Sequence, residues 1–240
     1  MKVKVSERVS IELQKAIFKG EYPPHTRFPS ERELAQRYSV SRSAVREAVA
    51  KLTQLGLVET RPQSGTYVSD YQTEGSLDLL IHIMRAGEAV DIEVMAGLLK
   101  MRRMTEPSIA REAALCAQPG DIEVLRLSGE RLIDDILNHP QDTQALSESD
   151  FNFHAALMHA AKNLIFPLFF NSFKPIYKFY TVYYYMDTMT HAVTIDFVHK
   201  LTMAVENRDP GGAENITHDA IIFAEERLAA VLGHGANDKT

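Results

Sequence analysis

Side chains that could bind a metal ion lie in the second half of the chain. Asp150 and His154 are four residues apart within a helical pattern, so a helix would place both on one face, about 6 Å apart at the backbone. His199 and His218 lie on later helical segments and could complete a four-ligand set for a divalent metal such as zinc. A lone Asp or His on a helix is more often a surface or satisfied core group, so this prediction needs outside support.

A dense group of aromatic residues follows this pair. Half of the chain's 11 Phe and 9 Tyr residues lie between positions 166 and 185. Helical spacing puts six of them on one stripe: Phe166, Phe170, Phe173, Tyr177, Tyr180 and Tyr184. A stripe alone is typical of a core, but the other aromatics widen it, which predicts a central helix that lines any cavity. The tyrosine hydroxyls need partners, which a polar ligand or water could supply.

Near the N-terminus, capping residues predict two short helices separated by a tight turn. Ser30 and Glu33 have the spacing of a capping box, in which each side chain bonds the other residue's backbone amide. Ser41 can cap a following helix that extends to Leu55, with Gly56 as its C-terminal stop. The pattern therefore predicts a helix-turn-helix.

The second of these helices has an exposed end suited to reading DNA. Val45, Val49 and Leu52 are spaced to face the core. This leaves Arg42, Ser43, Ala44 and Arg46 at the exposed N-terminal end. Arginine can pair bidentately with guanine, small residues allow close approach, and the amide-rich helix end can contact phosphate. Two short β-type runs, 57–60 and 66–68, then flank a turn that ends at Gly65, which predicts a hairpin wing.

These segments resemble the DNA-binding domain of the GntR superfamily of repressors. The resemblance covers about residues 8–69 and is carried by Pro29–Ala35, Val40–Ala48, Leu52–Val58 and Gly65–Val68. It implies a dimeric, ligand-controlled transcription regulator that binds a palindromic operator. The operator contacts it implies are Arg32, Ser41, Arg42, Ser43, Ala44, Arg46 and, in the wing, Gly65.

The rest of the chain resembles the FCD effector domain of the FadR subfamily. Metal-binding FCD members use an Asp-x-x-x-His pair and two later histidines, which supports the metal set. In that pattern the last histidine falls near Ile221, three residues after His218. The resemblance also implies that Arg102 points into the cavity and meets a ligand carboxylate, although an ion pair with Glu106 at i,i+4 is equally compatible with the sequence.

A second similarity within the same subfamily points to another effector. Asn171, Lys174 and Tyr177, with the later run 199–201, are spaced as in the fatty-acyl-CoA-responsive member, which lacks the metal histidines. The effector residues implied are Arg102, Tyr177 and Asn171. A small carboxylate, with or without a metal, and a fatty acyl-CoA therefore remain as alternatives.

Charge and periodicity divide the chain into two domains. Residues 1–70 carry 12 Lys and Arg against 8 Asp and Glu, a net charge of +4, whereas the remainder carries 14 against 24, a net charge of −10. We expect a winged helix-turn-helix domain over 1–69, a polar linker over 70–76 and an all-α effector-binding and dimerisation domain over 77–240. Helical periodicity in the last segment predicts about seven helices, near 76–86, 91–115, 120–138, 142–162, 164–185, 188–207 and 211–232.

The composition favours a cytoplasmic protein. The N-terminus lacks the apolar run of a signal peptide, no stretch approaches 18 uninterrupted apolar residues, and Cys116 is the only cysteine. The alternative function is a metal-dependent hydrolase with an appended DNA-binding domain. It is disfavoured because no general base, nucleophile or phosphate loop accompanies the candidate ligands, so we expect no enzyme activity.

Overall fold

Two units make up the chain in the computed structural model, Met1–Val90 and Asp91–Thr240. The structure describes residues 4–75, Leu79 and 92–237, and of 92–95 and 231–237 it describes the backbone alone. Within these residues the first unit has four helices and a two-stranded sheet, and the second has seven helices. The predicted fold class, a winged helix-turn-helix followed by an all-α bundle, is confirmed.

The first unit begins with the predicted helix-turn-helix. Its elements are α1 (Val5–Phe18), α2 (Glu31–Arg37), α3 (Arg42–Gln54), β1 (Val58–Arg61), β2 (Gly65–Val68) and α4 (Tyr71–Glu74). Ser30 and Glu33 form the capping box of α2, with the Ser30 amide donating to the Glu33 carboxylate at 2.8 Å. The Ser41 hydroxyl accepts from the Ala44 amide at 3.2 Å and so fixes where α3 begins.

A small apolar core holds the helices and the wing together. Residues from α1, α2, α3, both strands and three positions outside these elements (28, 57 and 79) bury their side chains in it: Val9, Leu13, Ile17, Phe28, Leu34, Val45, Ala48, Leu52, Leu57, Val58, Val68 and Leu79. Val45 and Leu52 face this core as predicted, and Val49 packs against it while half-buried. The opposite face of α3 is consequently left for contacts outside the unit.

The wing is an antiparallel hairpin. Val58 pairs with Val68 and Arg61 with Gly65. Gly65 has a φ of +120°, which residues other than glycine rarely adopt. A Cβ at this position would lie 3.1 Å from Nε of Arg27. The positive φ is the reason that this position favours glycine, because the exposed Arg27 side chain could shift to make room for a Cβ.

The predicted linker begins with a short helix. Asp70 caps α4, its carboxylate accepting from the Gln72 amide at 3.2 Å. The helix forms because Asp70 acts as its N-cap. The segment was predicted as a linker because its composition is polar and it lacks helical periodicity. Residues 76–78 and most of the helix predicted over 76–86 lie outside the described residues. The domain limits at 69 and 77 stay predictions.

The second unit is a helical bundle. Its helices are α5 (Ile92–Cys116), α6 (Pro119–Asn138), α7 (Thr143–Ala160), α8 (Ile165–Ser172), α9 (Lys174–Met186), α10 (Met189–Glu206) and α11 (Pro210–Asn237). The long helix α5 packs against α11 and α7, while α7 also packs against α6 and α9. In the described part of the chain, no helix is both long and apolar enough to cross a membrane.

The predicted helix over 164–185 is two helices. It breaks at Phe173, which ends α8 and precedes α9. Pro175, at the second position of α9, lacks the N–H that a continuous helix would donate to the Asn171 carbonyl. The bend does not disperse the aromatic stripe, because Phe170, Phe173 and Tyr177 remain buried on both sides of it.

Candidate DNA-binding surface and effector cavity

The N-terminal end of α3 presents the side chains expected to read DNA. Arg42, Ser43 and Arg46 are exposed and Ala44 is half-buried, since the turn capped by Ser41 directs this end away from the core. The Arg46 guanidinium pairs with Glu31 on α2, with N–O distances of 3.1 Å. The Arg46 side chain is 73% exposed, and ion pairs exposed to water are weak, so phosphate or a base can replace Glu31.

A groove of about 470 Å³ runs between α2, α3 and the wing. Arg46, Thr53, Thr60 and Gly65 contribute to its walls. Arg27 also lines it, and its exposed guanidinium lies against Gly65. Arg27 was not predicted from the sequence, because it lies outside the helix-turn-helix. Backbone hydrogen bonds between residues 25–28 and β2, with Arg27 opposite Tyr67, bring it to the wing. Arg32, also predicted to contact DNA, is exposed on α2.

The second unit contains a partly open cavity of about 50 Å³. Five helices, α5, α7, α9, α10 and α11, contribute its lining: Arg102, Asp150, His154, Tyr177, Tyr180, Thr181, Tyr184, Val193, Thr194, Phe197, Ala220, Ile221 and Ala224. The aromatic segment thus lines the cavity, as predicted for the tyrosines of the stripe. A volume of this size holds a few water molecules or a small polar group.

Arg102 forms the ion pair with Glu106 that the spacing on α5 allows. Its Nε donates to Glu106 Oε1 at 2.5 Å, its Nη2 donates to Oε2 at 3.0 Å, and its Nη1 donates to the Tyr180 hydroxyl. The guanidinium carbon lies 4.9 Å from the ring centre of Tyr177. Both charged residues are buried, at 7% and 3% exposure. Because a guanidinium has five N–H groups, two remain for a ligand after these three bonds.

Asp150 is held by tyrosines. The Tyr177 hydroxyl donates to its Oδ2 at 2.6 Å, and the Tyr185 hydroxyl donates to its Oδ1 at 2.8 Å. Asp150 is 7% exposed and forms no ion pair within the described residues. A buried carboxylate is ordinarily compensated by a cation, so Asp150 is the charged group in this cavity that most needs a ligand.

His154 lines the cavity one helical turn after Asp150. Its ring is 5% exposed and stacks on Phe197, with 5.8 Å between ring centres. Its Nδ1 atom is buried without a hydrogen-bond partner and lies 3.6 Å from Glu106 Oε2. A buried nitrogen left unpaired in this way costs free energy, which a ligand could recover.

Burial and neighbouring charge shift the pKa values of these groups. Burial lowers the pKa of His154 despite the opposing effects of Asp150 and Glu106, so the ring is neutral at neutral pH. Burial alone would raise the pKa of Glu106, but the charge and hydrogen bonds of Arg102 outweigh it and the pKa is lowered. Burial also raises the pKa of Tyr184 to about 12. The tyrosines are therefore neutral hydroxyls that can donate to ligands.

A second, apolar cavity of about 30 Å³ adjoins the first. Arg102, Tyr177 and Tyr180 line both cavities and separate them. Apolar side chains from α5, α7 and the α8–α9 bend form most of its remaining wall: Leu98, Met101, Ile109, Met158, Phe166, Phe169, Phe170 and Phe173. Asn171, one of the predicted effector residues, does not line either cavity, because its position on α8 is exposed to solvent.

The structure does not bring the predicted metal ligands together. Asp150 and His154 face the cavity, but His199 and His218 are exposed. His199 follows the cavity residue Phe197 by two positions, about 200° around α10, and therefore points to the opposite face. The cavity position on α11 is taken by Ile221, three residues after His218.

The residues present consequently do not fit a metal. No group of three or more His, Cys, Asp or Glu side chains with metal-binding geometry occurs in the described part of the chain. Two donors fall short of the three or four protein ligands of ordinary zinc sites. Of the predicted set, Asp150 and His154 line a ligand cavity, and His199 and His218 lie on the exposed surface.

Comparison with known proteins defines the class to which this fold and these sites belong. Residues 5–68 match the family model described as bacterial regulatory proteins, gntR family, and residues 97–222 match the FCD domain. The chain belongs to the GntR family, in its branch with an FCD effector domain. It is a ligand-responsive DNA-binding transcription regulator of the FadR-like type and not an enzyme.

Individual relatives support this assignment. The transcriptional regulator Mce2R of Mycobacterium tuberculosis is 32% identical over 230 residues, which cover 95% of this chain and 93% of that protein. The fatty acid metabolism regulator protein of Proteus mirabilis is 25% identical, with 82% of this chain and 79% of that protein covered. A solved structure of Lar, described as controlling the agr system of Listeria monocytogenes, shares the fold with a TM-score of 0.60 at 17% identity, covering 96% of this chain and 99% of that one.

Proposed function

We propose that the chain binds a palindromic operator in cytoplasmic DNA as a homodimer, with the N-terminal end of α3 in the major groove and the wing beside it. The residues proposed to contact the operator are Arg32, Ser41, Arg42, Ser43, Ala44, Arg46 and Gly65. The single observation that supports this best is the exposed, basic first turn of α3, fixed in place by its Ser41 cap.

The effector in this proposal is a small carboxylate that enters the cavity of the second unit and changes operator affinity. Arg102 supplies the two N–H groups that its bonds to Glu106 and Tyr180 leave unused, and the ring of Tyr177 packs against the guanidinium. The cavity gives the effector one buried anchor. If the effector binds one arrangement of the bundle helices more tightly than another, its binding favours that arrangement, and this preference can change how the first unit binds DNA.

A fatty acyl-CoA is the second candidate effector. The apolar cavity behind Arg102, Tyr177 and Tyr180 favours it, because an acyl chain could extend there from a polar group in the first cavity. At about 30 Å³ that cavity would have to widen for a long chain. A metal takes no part in either version, because His199 and His218 lie on the surface.

Selection of DNA from a random library with the purified full-length chain tests the operator proposal. We expect an inverted repeat to be enriched, and Arg42→Ala to weaken binding to it by about tenfold to a hundredfold through the loss of one base contact. Arg126→Ala, which removes an exposed arginine of the bundle, is the matched control and should bind like the wild type. Enrichment of no sequence, or equal binding by Arg42→Ala, would contradict the proposal.

A further inference from the structure

The effector cavity has a charge balance that a simple carboxylate does not satisfy. Arg102 is paired with Glu106 through two hydrogen bonds, so its charge is already compensated. The carboxyl group of Asp150 is buried and bonded to two tyrosine hydroxyls, with no cationic partner within the described residues. A ligand with only a carboxylate would add a further acidic group beside Asp150 and no cation, where burial limits its solvation.

From this balance we infer that the effector carries an ammonium group as well as a carboxylate, so that it is a small amino acid or a related amino-carboxylate. The carboxylate binds Arg102 and the ammonium binds beside Asp150, where an organic cation takes the place that the family pattern gives to a metal. This inference rests on the proposed function and specifies its effector class.

The surroundings of Asp150 suit an ammonium. Its two oxygens each accept one tyrosine hydrogen bond, and each carboxylate oxygen can accept a further one. The rings of Tyr177, Tyr184 and Phe197 line the same cavity, and aromatic faces stabilise cations at short range.

The two anchors contact the same aromatic ring. The Arg102 guanidinium lies over the face of Tyr177, and the hydroxyl of that ring donates to Asp150. A ligand that bonds to both residues therefore lies beside one tyrosine, and an amino acid carries its carboxylate and its ammonium only a few covalent bonds apart.

Matched ligands test the inference on the full-length chain, freed of metal by dialysis against EDTA. Amino acids are titrated calorimetrically beside counterparts that have a hydroxyl or a hydrogen in place of the amine: alanine with lactate and propionate, aspartate with malate and succinate, glutamate with 2-hydroxyglutarate and glutarate, and so on through the protein amino acids. We expect at least one amino acid to bind at least about tenfold more tightly than both of its counterparts, because only it compensates Asp150.

Two variants locate the effect. Asp150→Asn should remove the preference for the amine, whereas Asp135→Asn, which alters another buried carboxylate of the bundle outside the cavity, should retain it. If Asp150→Asn does not fold, the wild-type comparison of amine with hydroxyl still decides. Binding by no amino acid, equal or tighter binding of the counterparts, or binding that requires an added divalent cation would each overturn the inference.

Binding of the selected operator DNA, measured on the same ligand-free preparation, separates the two proposals. Operator binding together with a failed amine preference overturns the effector inference alone. If the wild-type chain does not bind the operator, the proposed function is overturned, whatever the ligand titrations report.

Discussion

At the scale of single residues, the effector cavity depends on one buried ion pair. Arg102 and Glu106 face each other on α5 with almost no exposure to solvent. Removing one partner leaves the other as an uncompensated buried charge, which is far more costly than breaking a pair in water. The pair therefore positions the guanidinium that the effector is proposed to meet.

Glu106→Ala is predicted to lower the free energy of unfolding by about 3–5 kcal/mol, because Arg102 would remain buried without its counter-charge. Urea unfolding followed by circular dichroism measures the change. Glu123→Ala is the control, since it breaks an exposed pair with Arg126 and should change the free energy of unfolding far less. Equal decreases in the free energy of unfolding in the two variants would contradict the buried position of the Arg102–Glu106 pair.

His154 gives a pH dependence with a defined sign. Burial keeps its pKa in the folded chain below the ordinary value of 6.5, so the unfolded chain binds a proton first as the pH falls through 6.5. The free energy of unfolding should then decrease on acidification below about pH 6.5, by up to about 1.4 kcal/mol per pH unit.

In EDTA-containing buffer, His154→Gln should show a smaller decrease in this free energy between about pH 7 and pH 5.5. His139→Gln alters an exposed histidine and should follow the wild-type profile. If His154→Gln shows the same pH dependence of the free energy of unfolding as the wild type, another group binds the proton.

The sequence predicted some residues of both sites and not others. Ser30, Glu33 and Ser41 were predictable because caps follow local hydrogen-bonding rules. The pairing of Arg102 with Glu106 was foreseen as one of two compatible arrangements. The family pattern already put the last ligand position near Ile221, and Ile221 does line the cavity. Whether a shift of α11 would bring His218 there instead was not predictable, because the face that α11 turns to the cavity depends on packing against α5 and α10.

At the scale of secondary-structure elements, the crossing of α6 and α10 fixes part of the bundle. A Cβ at Gly129 of α6 would lie 2.7 Å from Val198 Cγ1 and 3.2 Å from the Phe153 ring. The glycine thus allows α6 to approach α10 and α7 closely. Proline has the opposite role at the α8–α9 bend, where Pro175 interrupts a helix that periodicity alone predicts as continuous.

Gly129→Ala is predicted to destabilise the chain by about 1–3 kcal/mol, because overpacking against Val198 outweighs the gain in helix propensity. Gly97→Ala is a matched control on α5, since a Cβ there meets nothing within 4 Å. It should raise stability by up to about 1 kcal/mol. Thermal unfolding of both variants measures the difference, and a stabilised Gly129→Ala variant would contradict the packing described for α6.

At the scale of the whole molecule, charge and function are divided between the two units. The basic first unit carries the surface proposed to contact DNA, and the acidic second unit carries the cavity. A net charge of +4 on the first 70 residues suits phosphate, whereas a net charge of −10 on the remainder limits contact with DNA to one part of the chain. This division was predictable from the sequence, because the charges of the two parts can be counted without knowing the fold.

Native mass spectrometry of the full-length chain with the selected operator duplex tests the central claim most directly. It reports the number of chains per duplex together with any bound small molecule or metal. We expect two chains on each duplex, no bound metal, and loss of the complex in Arg42→Ala. One chain per duplex, or a complex that persists equally on unrelated DNA of the same length, would contradict a dimeric, sequence-specific regulator.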